Sequence, residues 1–160
     1  MAKISIIMGS QSDLETVNET IKVLKEFKAD FEAKVLSAHR TPKEVVKYVM
    51  AAPGKGTKVF IAAAGMSAAL AGVVAAHTTL PVIGIPIETK NLKGLDSLLS
   101  TVQMPPGIPV ACMAIGKSGA KNAAILALEI LGISDAKIRA KLLNYKKQMC
   151  LKVKQIKIKL

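Results

Sequence analysis

Lys3-Ile4-Ser5-Ile6-Ile7-Met8-Gly9-Ser10-Gln11-Ser12-Asp13 is the stretch whose reading decides the fold. Residues 3–8 are almost continuously apolar, the pattern of a strand covered on both faces. A glycine and small polar residues then make a loop over 9–13. Leu14, Val17, Ile21, Leu24 and Phe27 follow at spacings of three or four, which marks one face of a helix. Ser12 and Glu15 have the spacing of a capping box, so the helix is expected to start at Ser12. A buried strand, a short loop and an amphipathic helix make one βα unit.

The unit recurs along the chain. Residues 31–36 read as a second strand and 44–50 as a second helix, closed by Pro53-Gly54-Lys55-Gly56. Residues 59–63 are a third strand, and 67–77 a helix rich in small residues that can pack closely on a sheet. Residues 81–85 are a fourth strand, followed by a longer loop over 86–93 and a helix over 94–102. After the stiff connector Met104-Pro105-Pro106-Gly107-Ile108-Pro109 come a fifth strand, 110–115, and an apolar helix, 118–131, ending at Gly132. Five apolar strands alternating with helices predict an α/β domain with a parallel sheet covered on both faces. The simplest arrangement is a flavodoxin-like three-layer sandwich, a five-stranded sheet of order 2-1-3-4-5. Ligands on such sheets bind beyond the carboxyl ends of the strands, near the switch between strands 1 and 3.

A last segment stands outside this scheme. Ile138, Leu142, Tyr145, Met149, Val153, Ile156 and Leu160 form a narrow apolar stripe on a Lys-rich helix that Ser134-Asp135 can start. Residues 1–133 are thus expected to be the working domain, and 134–160 a C-terminal helical arm of the same domain. The arm must bury its stripe; a neighbouring subunit is the expected place, and folding back on its own domain is the alternative.

A chain of 160 residues suits one domain with a real core, and its 51% hydrophobic content with only 3% aromatics calls for a core of Ala, Val, Ile, Leu and Met. No apolar run reaches membrane length uninterrupted. Met1-Ala2-Lys3-Ile4 enters a strand pattern at once, leaving no room for a signal peptide, and the expected setting is the cytoplasm. Cys112 and Cys150 make neither a disulfide framework nor a metal set. The net charge of +12 is concentrated in the tail, where residues 134–160 carry nine Lys or Arg against one Asp. Aromatic residues are not interleaved there apart from Tyr145. The tail therefore reads as a solvated helix face, and neither nucleic acid nor membrane is expected as a partner.

Several familiar motifs are excluded. Ile115-Gly116-Lys117-Ser118-Gly119 would need glycine at position 111 to be a phosphate-binding P-loop, and Ala111 stands there. No dinucleotide fingerprint follows the first strand, and no nucleophile elbow occurs. No His, Asp and Glu cluster at metal-ligand spacing. His77 falls at a helix end, where the dipole explains it.

Ser37-Ala38-His39-Arg40-Thr41-Pro42 is different. Thr41 suits a helix cap, Pro42 the first helical position, and Glu44 completes a capping box. His39 and Arg40 precede the cap, so neither core nor helix face accounts for them. Arg40 reads as a holder of phosphate or carboxylate. His39 carries an imidazole whose ordinary pKa, about 6.5, suits proton transfer at neutral pH. The loop at Gly9, Ser10, Ser12 and Asp13 is a candidate phosphate cradle, with glycine for close approach and a helix N-terminus to attract anions. Capping is the commoner role for Ser12. Ser10 lies outside that cap, and Asp13 suits either the helix dipole or hydrogen bonds to sugar hydroxyls.

With these residues in place, the sequence resembles the PurE family of purine biosynthesis. The resemblance rests on Met8-Gly9-Ser10-Gln11-Ser12-Asp13, Ser37-Ala38-His39-Arg40-Thr41-Pro42, Ala64-Gly65-Met66-Ser67-Ala68-Ala69-Leu70, Pro81-Val82-Ile83-Gly84-Ile85-Pro86, Gly94-Leu95-Asp96-Ser97-Leu98-Leu99-Ser100, Val102-Gln103-Met104-Pro105-Pro106-Gly107-Ile108-Pro109-Val110 and Asn122-Ala123-Ala124. The family tends to have Pro where this chain has Ala71, and some members carry a second histidine where it has Ala69. Members that carboxylate directly tend to read Ala-His-Lys-Thr, so Ala38-His39-Arg40-Thr41 looks like the mutase class.

The resemblance implies conversion of N5-carboxyaminoimidazole ribonucleotide to 4-carboxy-5-aminoimidazole ribonucleotide, with CO2 held by the enzyme between two steps. It implies His39 as the catalytic residue, and substrate binding by Gly9, Ser10, Ser12, Asp13, Ser37, Arg40, Gly65, Met66 and Leu70. It also implies a homo-octamer and no ATP, metal or organic cofactor. Direct carboxylation of aminoimidazole ribonucleotide, a non-catalytic module binding FMN or a signal, and a basic nucleic-acid binder are the rival readings.

Overall fold

The computed structural model describes residues 3–158. Strands β1 (Ile4–Met8), β2 (Phe31–Val35), β3 (Val59–Ala64), β4 (Val82–Pro86) and β5 (Ala111–Cys112) form one parallel sheet of order β2-β1-β3-β4-β5. Helices α1 (Leu14–Glu26), α2 (Pro42–Ala51), α3 (Leu70–Ala76), α4 (Leu95–Val102) and α5 (Gly116–Gly132) alternate with the strands, and α6 (Ala136–Lys154) follows. The expected flavodoxin-like topology is the observed one.

Strand residues alternate between two cores, as the period of two requires. Ile4, Ile6, Ile61, Ile83 and Ile85 meet Val17 and Leu24 of α1 and the alanines of α5 on one face. Ile7, Phe60 and Ala62 meet Val45, Val49, Leu70 and Val74 on the other, under α2 and α3. Each of these isoleucines is at most 1% exposed, and burying such a side chain contributes roughly 1.5–3 kcal/mol. Ser5, the polar residue of β1, faces the second core without an orphaned hydroxyl. It hydrogen-bonds Thr57 Oγ1 at 2.8 Å and accepts from Tyr48 Oη at 2.9 Å.

Small residues set the layer spacing. Ala120, Ala123, Ala124 and Ala127 are fully buried in α5, which lies against α1 and the sheet. Thr20 of α1 donates to the Ala120 carbonyl at 2.7 Å. At Gly84 of β4 a Cβ would overlap Thr101 on α4 and lie 3.0 Å from Val110.

Three elements are clearly shorter than their sequence pattern predicts; the arm expected over 134–160 is helical only over Ala136–Lys154, with residues 156–158 irregular. The fifth strand, expected over 110–115, pairs only through Ala111 and Cys112. Pro109 has no N–H to offer the ladder, and after Met113 donates to Gly84 O the chain climbs directly into α5. The third helix, expected over 67–77, begins at Leu70. Met66 has φ 58°, in the left-handed region, and the Ala68 and Ala69 amides bond carbonyls only two residues back. Residues 66–69 are therefore tight turns and not a helical turn.

α6 folds back over its first half. Asp135 caps it by accepting from the Lys137 and Ile138 amides. Leu142 is buried against the first core with Ile138 and Tyr145 beside it, and Tyr145 packs edge-on to Phe27 at 5.6 Å. Beyond that the stripe is uncovered, with Met149, Val153 and Ile156 exposed. Its last member, Leu160, lies outside the described residues, as do Met1 and Ala2.

Candidate active site

The loops that leave β1, β2, β3 and β4 meet at the carboxyl edge of the sheet and enclose a cleft of about 890 Å³. All ten candidate residues line it: His39, Gly9, Ser10, Ser12, Asp13, Ser37, Arg40, Gly65, Met66 and Leu70. A somewhat larger hollow, about 1030 Å³, opens at the opposite edge around Met50, Thr78 and Pro81. Its histidine, His77, is tied by Nδ1 to the Val73 carbonyl at 2.8 Å. The grouped ionisable and hydroxyl side chains are in the smaller cleft.

In the first loop the capping residue is Ser10, not Ser12. A short 3-10 turn over Gln11–Asp13 precedes α1, and Ser10 stands in extended conformation before it. Ser12 N donates to Ser10 Oγ at 3.3 Å, and Ser10 N donates to Asp13 Oδ2 at 3.0 Å, a complete capping box two residues earlier than the sequence suggests. Ser12 Oγ donates to Ser10 Oγ at 2.9 Å, which gathers both hydroxyls at one point. Gly9 N donates to Ala63 O at 3.0 Å and ties the loop to β3.

The second loop is a closed turn. Thr41 makes no side-chain cap for α2. Its hydroxyl turns back to the loop instead, accepting from Ser37 N at 2.9 Å and donating to Ser37 O at 3.1 Å. Arg40 crosses to the first loop, where Nη2 donates to Gly9 O at 2.7 Å, and its Nε donates to Ser37 Oγ at 3.3 Å. A guanidinium has five N–H groups, so this seating leaves donors for a ligand. His39 is at the tip of the turn, exposed, and among the described residues its ring makes no hydrogen bond to protein. Its proton can therefore be exchanged with whatever occupies the cleft.

Asp13 is only 7% exposed. Burial raises its carboxyl above the ordinary value of 3.8; hydrogen bonds from the Ser10 and Gly9 amides and from Ser12, and the charge of Arg40, act in the opposite direction. An acid that is harder to ionise when folded weakens the fold as pH rises through its raised pKa. Asp13→Asn keeps an acceptor for Ser10 N and removes that penalty. We expect its thermal midpoint at pH 7.5 to exceed the parent's, with the advantage vanishing as pH falls to the ordinary carboxyl value near 3.8. Each kcal/mol would read as roughly 2–4 °C. Melting curves at the two pH values test this, and an equal midpoint at pH 7.5 would contradict it.

Sequence reasoning passed over the fourth loop. Glu88, Thr89, Lys90 and Asn91, with Asp96 of α4, also line the cleft. The signal was available, because every loop after a parallel strand opens on the same edge. Among the described residues no three His, Cys, Asp or Glu lie together as a metal set, and no helix is long and apolar enough to cross a membrane. The arrangement of two clustered hydroxyls, a seated guanidinium, a helix start and a free imidazole suits a phosphorylated ligand that exchanges a proton.

Comparison with known proteins agrees with this chemistry. The model of the AIR carboxylase family matches residues 3–152. An N5-carboxyaminoimidazole ribonucleotide mutase of Pyrococcus abyssi is 56% identical over 149 residues, 93% of this chain and 84% of that one. The mutase of the same name from Saccharolobus solfataricus is 52% identical over 149 residues, 93% of both chains. Among solved structures, Treponema denticola PurE superposes with a TM-score of 0.85 at 29% identity, covering 94% of this chain and 92% of that one.

Proposed function

The chain belongs to the AIR carboxylase family, and from that premise we propose that it is an N5-carboxyaminoimidazole ribonucleotide mutase of purine biosynthesis. The observation that carries the reading to particular residues is the free imidazole of His39 beside the seated Arg40, in a cleft shared with Ser10, Ser12 and Asp13.

In this reading Ser10, Ser12, Ser37 and Arg40 hold the phosphate, helped by the amides of the first loop, and Asp13 accepts from the ribose hydroxyls. Gly9, Gly65, Met66 and Leu70 wall the ring. Protonated His39 gives its proton to the carbamate nitrogen N5. The N–C bond then breaks, releasing CO2 and neutral aminoimidazole ribonucleotide. That ring is enamine-like, so C4 attacks the CO2 still held in the cleft and forms the new C–C bond. Neutral His39 removes the C4 proton, which restores aromaticity and the starting protonation state. One group acts as acid and then as base, and retention of CO2 supplies effective concentration. We place the enzyme in the cytoplasm as a homo-octamer, with the uncovered half of α6 against a neighbouring subunit.

The deciding experiment offers two substrates separately without ATP. Rapid conversion of N5-carboxyaminoimidazole ribonucleotide, with none of aminoimidazole ribonucleotide plus bicarbonate, supports the mutase. The reverse pattern assigns direct carboxylation. Arg40→Gln should weaken binding of the phosphorylated nucleotide. A charge-assisted hydrogen bond contributes about 1.5–3 kcal/mol, so the dissociation constant should rise about 10- to 100-fold. Calorimetric titration measures it, and an unchanged constant would remove Arg40 from the phosphate site.

A further inference from the structure

The fourth loop lines the cleft without an assigned task, and its hydrogen bonds converge on one side chain. Thr89 Oγ1 donates to Asp96 Oδ1 at 2.8 Å and accepts from Gly94 N at 3.3 Å. One hydroxyl thus closes the loop onto the start of α4. Ser97 reinforces the closure by donating to the Ile87 and Gly94 carbonyls. Gly94 takes φ 87° and Lys93 φ 52°, so the chain turns sharply where the bridge is made.

The other branch of Thr89 points at the third loop. Its Cγ2 lies 3.4 Å from where a Cβ on Gly65 would sit, and Ile87 Cβ lies 3.5 Å from the same place. Ile87 N also donates to Ala64 O at 2.9 Å. Gly65 is thereby seated on a floor of Ile87 and Thr89. Met66, beside it, is held at φ 58° and stands 70% exposed at the cleft. A conformation that disfavours an L side chain persists only where its surroundings enforce it.

We propose that Thr89 is a positioning residue for the reaction. Its hydroxyl bridge to Asp96 and Gly94 fixes the fourth loop, and the loop so fixed holds Gly65 and Met66 in the geometry that walls the reacting ring. The proposal rests on the mutase reading of the cleft. Thr89 acts through the third loop and does not itself exchange a proton with substrate. Loss of the bridge therefore lowers turnover more than it weakens nucleotide binding, because misplacement of a wall by a fraction of an ångström is felt in the reacting geometry.

Two changes separate the parts of the side chain. Thr89→Val keeps the methyl against Gly65 and removes the bridge; Thr89→Ser keeps the bridge. The readings are kcat and KM for N5-carboxyaminoimidazole ribonucleotide, and amide hydrogen exchange of peptides covering residues 64–70 and 42–51. For Thr89→Val we expect kcat to fall at least 30-fold with KM within threefold. Exchange over 64–70 should rise at least fivefold, with 42–51 unchanged. Thr89→Ser should keep kcat within fivefold of the parent. Unchanged exchange over 64–70, or a kcat within twofold in Thr89→Val, overturns the proposal, as does an equal loss in both variants. Should Thr89→Val not fold, Asp96→Ala removes the acceptor of the Thr89 hydroxyl, leaving only the longer bond from Gly94 N, and decides by the same readings. A parent enzyme that leaves the nucleotide untouched sinks the mutase reading alone, and exchange then decides the brace by itself.

Discussion

His39→Asn is expected to bind the nucleotide with an affinity within about threefold of the parent and to lose turnover by roughly 10²- to 10⁴-fold, the range that a general acid–base group supplies. Asparagine approximates the shape of imidazole and keeps hydrogen-bonding atoms, but it cannot carry a proton between N5 and C4 near neutral pH. The side chain is exposed at the tip of a turn that is closed by Thr41, Ser37 and Arg40 without its help. Folding should therefore be unaffected, and a melting curve matching the parent's is part of the expectation. Steady-state assay together with calorimetric binding checks it. Near-normal turnover would move the proton transfer to another group, and a joint loss of binding and stability would make His39 a structural residue.

Gly119→Ala is expected to have the largest effect on folding, with a sign opposite to simple helix propensity. Alanine is the better helix former by about 1 kcal/mol, so an isolated α5 would gain. In the protein a Cβ at position 119 would overlap the carbonyl oxygen of Ala114. That oxygen belongs to backbone at the exit of β5 and has no rotamer by which to withdraw. Either α5 lifts from the sheet, opening the alanine-lined contact with α1, or β5 leaves β4. We expect a loss of about 3 kcal/mol or more, at the upper end of over-packing, which for a chain of this size is roughly 6–12 °C in the thermal midpoint. Calorimetry tests this, and an unchanged or raised midpoint would mean the helix start yields easily. The same clash explains why Gly116-Lys117-Ser118-Gly119 only superficially looks like a phosphate loop. Gly119 is there for packing, and Gly116 for a φ of 71° at the helix start.

The strands and helices were legible because apolar periodicity is a local property, and the parallel order followed from their alternation. What failed to show was what depends on partners. Strand five carries apolar residues to 115, but pairing stops once Pro109 and the climb into α5 limit the ladder. The third helix lost its first turn because Met66 takes a left-handed conformation and the next amides close tight turns, which apolar spacing does not reveal. At the cleft, the residue types and the loops they occupy could be read directly. The hydrogen bonds could not: two hydroxyl residues two apart, Ser10 and Ser12, can each cap a helix, and only the positions of Asp13 and Ser10 in space decide between them. Thr41 likewise looked like a cap and turned its hydroxyl to Ser37. The fourth loop escaped notice because Thr89 and Asp96 acquire meaning only as a pair.

The sheet's two borders also bear on how the protein behaves in a crowded solution. A long, flat and apolar border strand invites a foreign strand to add to it. Here one border, β5, pairs through two residues behind a proline. The other, β2, carries Glu32 and Lys34, paired at 3.7 Å, with the Lys34 ammonium 4.4 Å over the Tyr48 ring. Neither border offers a template for stacking chains edge to edge into fibrils.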